Sequence, residues 1–386
     1  MNIIKNKKIA IVGGGPGGLT LARLLQLKGA DVKVYERDVN KDVRVQGATL
    51  DLHKESGLKA LEHAGLMGAF KENYRPGADR IRGVDSNATI FYDEHIKEKN
   101  VDFSDEHFRP EIDRGPLRKI LLESLQPDTV VWDSQFITMS QVGHGWKLEF
   151  KNGTTAAADI VIGADGANSK IRPFITPIKP FYSGVTGVEG NVYNSETTTP
   201  EIHQLIKGGK LFALGDGKSL MVSSKGDGSL DFYVGCKTDE HWAKDSGIDF
   251  ADKTQVLNWF KRSFSGWDSV WLQLFEKSQR QFVTRPFYCM PLDQTWEALP
   301  NLTLVGDAAH LMPPFAGEGV NMAMLDALEL SECLCSADFT DVQSAIAVYE
   351  KQMRKRASQA AQESLENTDW IHSENALEKM LEFFEQ

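Results

Sequence analysis

The chain has 386 residues, 25% of them charged, and a formal net charge of -11. That length suits two domains rather than one core, and the acidic balance excludes nonspecific nucleic-acid binding, which needs clustered Lys and Arg. No apolar run approaches the roughly 20 residues of a membrane span, and the four cysteines (Cys236, Cys289, Cys333 and Cys335) lack zinc or redox spacing, so they read as reduced thiols of a cytoplasmic protein without a metal site.

Lys8 to Val12 predicts a short buried strand, and the glycines Gly13 to Gly18 follow it. Leu19 to Lys28 carries Leu21, Leu24 and Leu25 at helical spacing and stops at Gly29. Asp31 to Glu36 predicts a second strand, which completes a βαβ unit. A helix is expected over Gly57 to Ala69 and an amphipathic one over Gly115 to Leu125. Thr129 to Trp132, Trp146 to Phe150 and Asp159 to Ile162 read as strands. From about 178 to 286 the pattern becomes all-β, with runs at 185–193, 211–215, 219–223 and 230–236 and one helix, Gln255 to Phe264. Thr303 to Val305 returns to a buried strand, a long helix starts near Gly319, and the end of the chain is helical and charged.

Three segments carry chemistry. Gly13-Gly14-Gly15-Pro16-Gly17-Gly18 sits between a strand and a helix. Glycines there let the backbone turn tightly and approach a pyrophosphate at the helix N-terminus. Glu36, at the end of the second strand, stands where an acid can accept from a ribose hydroxyl. In the second segment, Gly163-Ala164-Asp165-Gly166 ends a strand and Arg172 follows. Taken alone it reads equally well as a capped strand-to-helix turn. In the third, Val305-Gly306-Asp307 leads through Pro313-Pro314 to Gly317-Glu318-Gly319-Val320-Asn321. A strand thus delivers a carboxylate able to hold a polyol hydroxyl, and a helix N-terminus able to stabilise negative charge follows. His310 is expected to be packed rather than catalytic. No nucleophile–base constellation and no metal-ligand spacing stands out.

These three motifs, in this order, resemble the group A flavoprotein monooxygenases of the p-hydroxybenzoate hydroxylase type. Tyr35-Glu36-Arg37, Thr49-Leu50-Asp51-Leu52-His53, Pro110-Glu111-Ile112, Leu117-Arg118 and Gly306 to Gly317 resemble one branch of it more closely, the Tet(X)-type tetracycline-inactivating monooxygenases. The resemblance implies an α/β fold: a Rossmann-like FAD-binding domain (1–75, 114–177 and 287–345), an inserted antiparallel β-sheet substrate domain (76–113 and 178–286) and a C-terminal helix (346–386).

It implies FAD contacts from Gly13, Gly15, Pro16, Gly17, Gly18, Glu36, Arg37, Asp51, Leu52, Arg118, Leu122, Asp307, Pro314, Gly317, Gly319, Val320 and Asn321. Arg44 would assist NADPH, and Asp165 would link the nicotinamide nucleotide and FAD sites. It implies that NADPH reduces FAD, that O2 adds at flavin C4a, and that the hydroperoxide attacks an electron-rich carbon. The protein then supplies no classical catalytic residue. The partners are an aromatic small molecule and O2, with no nucleic acid and no membrane. On the substrate side, Glu189, Lys210 and Asp231 stand where Tet(X)-type enzymes place a glutamine, an arginine and a histidine on tetracycline. Asn367, Pro314 and Phe315 keep the branch's pocket wall, whereas Glu318 replaces a glutamine. The expected activity is hydroxylation of a phenolic or polycyclic compound. Tetracycline inactivation, or a flavin oxidase or dehydrogenase without oxygen insertion, stays open beside it.

Overall fold

The computed structural model describes residues 3–43, 47–97, 101–105 and 107–385. Its central sheet has five strands in the order Leu302–Leu304, Ile160–Gly163, Lys8–Val12, Asp31–Tyr35 and Val130–Val131. Every neighbouring pair is parallel. Lys8–Val12, Ile160–Gly163 and Leu302–Leu304 are nearly continuous apolar runs, as befits a parallel sheet covered on both faces. The register aligns their C-terminal ends: Val12 is opposite both Tyr35 and Gly163, and Gly163 is opposite Leu304. The chain therefore leaves four adjacent strands at one level. This delivers Gly13, Glu36, Asp165 and Asp307 to one crevice, where open α/β sheets bind ligands.

A seven-stranded sheet stands apart from the first, in the order Val283–Cys289, Phe181–Val192, Leu230–Lys237, Lys218–Ser224, Lys210–Gly215, Ile81–Asp85 and Ile90–Asp93. It is antiparallel except where Lys210–Gly215 runs parallel to Ile81–Asp85. Strand periodicity of two sorts its side chains. Val188, Leu211, Ala213, Leu220, Val222, Leu230, Phe232 and Val234 are buried in a core with Trp259, Phe260 and Phe275 of the helices Lys253–Ser263 and Leu272–Glu276. The alternate positions Glu189, Lys210, Phe212, Met221, Asp231 and Tyr233 share the other face, since Glu189 pairs with Tyr233, Tyr233 with Met221, and Met221 with Phe212.

Two helices differ from the sequence reading. Gly57 to Ala69 is not one helix but a π-turn over Lys54–Leu58, the helix Lys59–His63 and the helix Met67–Asn73. Gly65, at φ +72, ends the middle piece in the left-handed conformation that glycine adopts without strain. The expected C-terminal helix is two, Val342–Ile371 and Ala376–Glu385. The break falls where His372 turns inward to bond Ser219 of the seven-stranded sheet. Among the described residues, no helix is long and apolar enough to cross a membrane.

Candidate cofactor and substrate site

The first glycine motif is built against its neighbours. Gly13 has φ +114, and a Cβ there would lie 2.2 Å from the Ala164 carbonyl oxygen. A Cβ on Gly18 would lie 2.2 Å from the Gly13 oxygen, and one on Gly17 would press on Ala323. Gly15, by contrast, faces open space, immediately before the helix that Pro16 begins. Gly13, Gly14, Gly17 and Gly18 thus pack against their neighbours, and Gly15 leaves room for a ligand at a helix N-terminus whose amides have no partner within the helix. Glu36 is buried and accepts from the amides of Gly14 at 2.6 Å and Asp38 at 3.1 Å. Arg37 beside it is exposed. Arg118 is buried under Trp132, where it donates to the Lys41 carbonyl at 2.9 Å and pairs with Asp38 at 3.3 Å. Leu122, one turn on, is half-buried, and Leu52 is fully buried. Arg44 lies outside the described residues.

The second and third motifs are tied to each other. Arg172 donates to the carbonyls of Ala308 at 2.7 Å, Asp307 at 2.8 Å and Ala167 at 3.2 Å. Asp165 spends Oδ2 on the amides of Lys170 and Ile171 at 2.7 and 3.3 Å, and its Oδ1 is buried with no hydrogen-bond partner. Asp307 is half-buried, and desolvation raises its carboxyl pKa against the pull of His310, Arg114 and Arg172. His310 is buried and joined through Nε2 to Asp326 Oδ2 at 2.5 Å; that oxygen also receives the Gly306 amide, and Oδ1 receives Arg356. His310 therefore holds the turn in place.

Beyond the turn Pro314–Ala316, Gly317 sits at φ +69, and the helix Gly319–Cys335 begins. Asn321 is fully buried and acts as a staple. Its Oδ1 accepts from the His53 amide (2.9 Å), the Ser56 hydroxyl (3.2 Å) and the Gly57 amide (3.3 Å). Its Nδ2 donates to the carbonyls of Asp51 and Gly317. The side chain is consumed, so a ligand here would meet the backbone amides of Gly319, Val320 and Asn321. The staple brings Asp51 against Gly317, where an added Cβ would lie 3.2 Å from Asp51 Oδ2.

Arg114 is a site residue that the sequence reading did not single out. It opens the helix Arg114–Glu123, one turn before Arg118, and is exposed to the cleft with Nε bonded to the Ala48 carbonyl at 2.8 Å. The surrounding walls desolvate it and depress its pKa, while Asp307 and Glu189 act against that. The two arginines at i and i+4 were the available signal. Of that pair, Arg114 presents its guanidinium to the cleft, and Arg118 is spent inside the protein.

The expected substrate residues share a sheet face, but each has an internal partner. Glu189 is ion-paired with Arg285, Asp231 with Lys225 at 3.3 Å, and Lys210 with Glu111. Asn367 is also engaged, donating to the Phe315 carbonyl at 3.1 Å and accepting from Trp370 at 2.7 Å. Phe315 meets Phe287 edge-on at 5.3 Å, His372 at 5.2 Å and Tyr233 at 6.5 Å, an apolar wall between the turn and the sheet. His372 is neutral and of fixed tautomer: Nδ1–H donates to Thr368 O at 2.7 Å, and Nε2 accepts from Ser219 at 3.0 Å.

Several features fit one extended ligand with a pyrophosphate, ribose-type hydroxyls and a ring. They are the open space at Gly15, the orphaned Asp165 oxygen, the raised Asp307 carboxyl and the second helix N-terminus. Comparison with known proteins agrees. A family model described as an FAD binding domain matches residues 6–364. "Monooxygenase penA" of Penicillium thymicola is 28% identical over 97% of both chains. "6-hydroxynicotinate 3-monooxygenase" of Pseudomonas fluorescens is 27% identical over 96% of this chain and 93% of its own. The crystal structure of the tetracycline destructase Tet(51) shares the fold with a TM-score of 0.71, at 21% identity over 99% of this chain and 95% of that one.

Proposed function

Because the chain belongs to the FAD-binding-domain family of group A flavoprotein monooxygenases, and is an FAD-dependent monooxygenase, we propose that it uses NADPH and O2 in the cytoplasm to hydroxylate a phenolic or polycyclic aromatic compound. The observation that carries this reading is the level ending of four parallel strands, which gathers Gly15, Glu36, Asp165 and Asp307 in one crevice. The cluster of Phe315, Phe287 and Tyr233 offers an aromatic surface for substrate.

Each protein group has a part that its geometry allows. The amides at Gly15 to Gly17 receive the pyrophosphate, and Arg114 supplies a cation from the far wall. Glu36, which accepts from the Gly14 amide, stands at the strand end where a carboxylate meets a ribose hydroxyl. Asp307 accepts from polyol hydroxyls, a role suited to a carboxylate that burial desolvates. The amides at Gly319 to Asn321 and the positive end of their helix favour an anionic ring. When bound, FAD supplies the chemistry: it accepts electrons from NADPH and activates O2. The protein's share is to orient the aromatic ring and exclude water. Phe315 is fixed for this task, because Asn367 holds its carbonyl and Ser364 donates to that of Pro313.

A further reading, tetracycline inactivation, draws on the motif resemblance to the Tet(X) branch and on the fold shared with Tet(51). The ion pairs of Glu189, Lys210 and Asp231 speak against a direct transfer of that branch's grip. The test is a spectrophotometric screen of NADPH consumption with simple phenols, anthraquinones and tetracyclines. A yellow protein whose NADPH use is stimulated by a phenol or anthraquinone is expected. A colourless protein that takes up no FAD would refute the reading.

A further inference from the structure

Asp51 and Glu111 are direct partners in the two-stranded ladder of Leu50–Asp51 and Glu111–Ile112. Like charges directly opposite one another destabilise a strand pair, and Glu111 is fully buried. Lys210, on a different sheet, answers both. Its ammonium is ion-paired with Glu111 and lies 3.9 Å from Asp51 Oδ1. The network continues. Asp51 Oδ2 meets His53 Nε2 at 3.1 Å, and His53 Nδ1 meets Glu318 Oε1, also at 3.1 Å. Glu318 is the residue before the helix Gly319–Cys335. Three carboxylates and two cations thus form one file, from the sheet that faces the substrate to the helix that faces the ring end of the cofactor crevice.

We propose that Lys210 is a positioning residue for the cofactor: it neutralises the opposed Asp51 and Glu111, fixes the strand that carries Asp51 to Gly317, and sets the charge beside the flavin ring. This rests on the flavin reading above. Three observations carry it. The ammonium is already shared by two carboxylates, so it is not offered to a substrate. Glu111 has no other cation within ion-pair distance among the described residues. Asp51 lies against Gly317, so its position and charge act where the ring end is held. Without Lys210, His53 is the one cation left in this file among the described residues, and it meets Asp51 and Glu318 but not Glu111. A buried carboxylate left unpaired disrupts its surroundings, and the excess negative charge disfavours an anionic reduced flavin.

The experiment compares the holoenzyme with Lys210→Met, Lys210→Arg, Glu111→Gln and the double variant Lys210→Met/Glu111→Gln. The readouts are the FAD dissociation constant and the midpoint potential of the bound flavin. Lys210→Met is expected to weaken FAD binding tenfold or more and to move the potential to more negative values. Glu111→Gln in the same chain is expected to recover most of both losses, and Lys210→Arg to recover the potential. Full FAD affinity and an unchanged potential in Lys210→Met, together with a tenfold rise in substrate KM, would make Lys210 a substrate ligand and overturn the proposal. Wild-type protein that binds no FAD would instead strike the cofactor reading itself.

Discussion

The Arg172 guanidinium donates to the main-chain carbonyl of Asp307 at 2.8 Å, and through this bond the second motif holds the third in register. The side chain is buried and bonds two further carbonyls, those of Ala308 and Ala167. Arg172→Leu leaves those acceptors unpaired. It should destabilise the fold by about 3 kcal/mol, since charge-assisted hydrogen bonds are worth roughly 1.5–3 kcal/mol, and should lower FAD retention. Urea unfolding and the flavin content of the purified variant check this. A variant of normal stability and full flavin content would show that the two motifs hold their places without Arg172.

Asp307 is expected to trade stability for function. Desolvation raises its carboxyl pKa, so the native protein tolerates a charge that the cofactor reading needs. Asp307→Asn should raise the melting temperature of the apoprotein while weakening FAD binding by roughly 1–3 kcal/mol, about ten- to a hundredfold. Calorimetry of the apoprotein and an FAD titration read the two effects separately. If the substitution leaves FAD affinity intact, Asp307 does not face the cofactor.

His53 makes the cofactor loop sensitive to alkali. Burial alone would lower its pKa, but hydrogen bonds to Asp51 and Glu318 outweigh this and raise it from 6.5 to about 9. A histidine whose pKa is raised on folding contributes stability that is fully present below pH 6.5. That contribution is lost as pH rises through about 9, and it amounts to at most about 3 kcal/mol. Unfolding free energy should therefore fall between pH 6.5 and 9, and His53→Gln should flatten that slope. Parallel profiles for the two proteins would contradict the assignment.

His372 acts in the opposite direction. Burial pushes its pKa down from 6.5 to about 4, so it stays neutral between Thr368 and Ser219. Above pH 6.5 the contact is intact. Between pH 6.5 and 4 the unfolded chain binds a proton that the native chain refuses, and stability falls. The loosened element would be the junction of the two C-terminal helices with the sheet. Hydrogen exchange at Ile371 and Ala376 should accelerate over that interval in the wild type, and less so in His372→Gln.

How much of this was legible depended on how local the cause was. The βαβ unit and the strand before Gly306 could be read because apolar runs, glycine turns and strand ends lie within a few residues of one another. The π-turn at Lys54–Leu58 could not, because the group that claims the Gly57 amide is Asn321, far along the chain. The strand Val283–Cys289 was masked by Pro286. It is an edge strand, where a missing N–H is tolerated. At the site, the carboxylates Asp165 and Asp307 announced themselves by their glycine neighbours. The pairing of Asp51 with Glu111, and the answer from Lys210, exist only once two sheets meet. The resemblance gave Lys210 a substrate contact, and its pairing with Glu111 and Asp51 lies outside what that resemblance carries. Arg118 came from the resemblance; Arg114, one turn before it, was not singled out, because sequence spacing alone does not say which of two such arginines faces the cleft.

The account turns on oxygen insertion into an aromatic ring. With the best substrate from the NADPH screen, turnover under 18O2 followed by mass spectrometry of the product tests this most directly. One 18O atom per hydroxylated product, with one NADPH consumed for each, is the predicted result. NADPH oxidation that yields only hydrogen peroxide and an unlabelled compound, for every aromatic that stimulates it, would contradict the account and make the protein an oxidase.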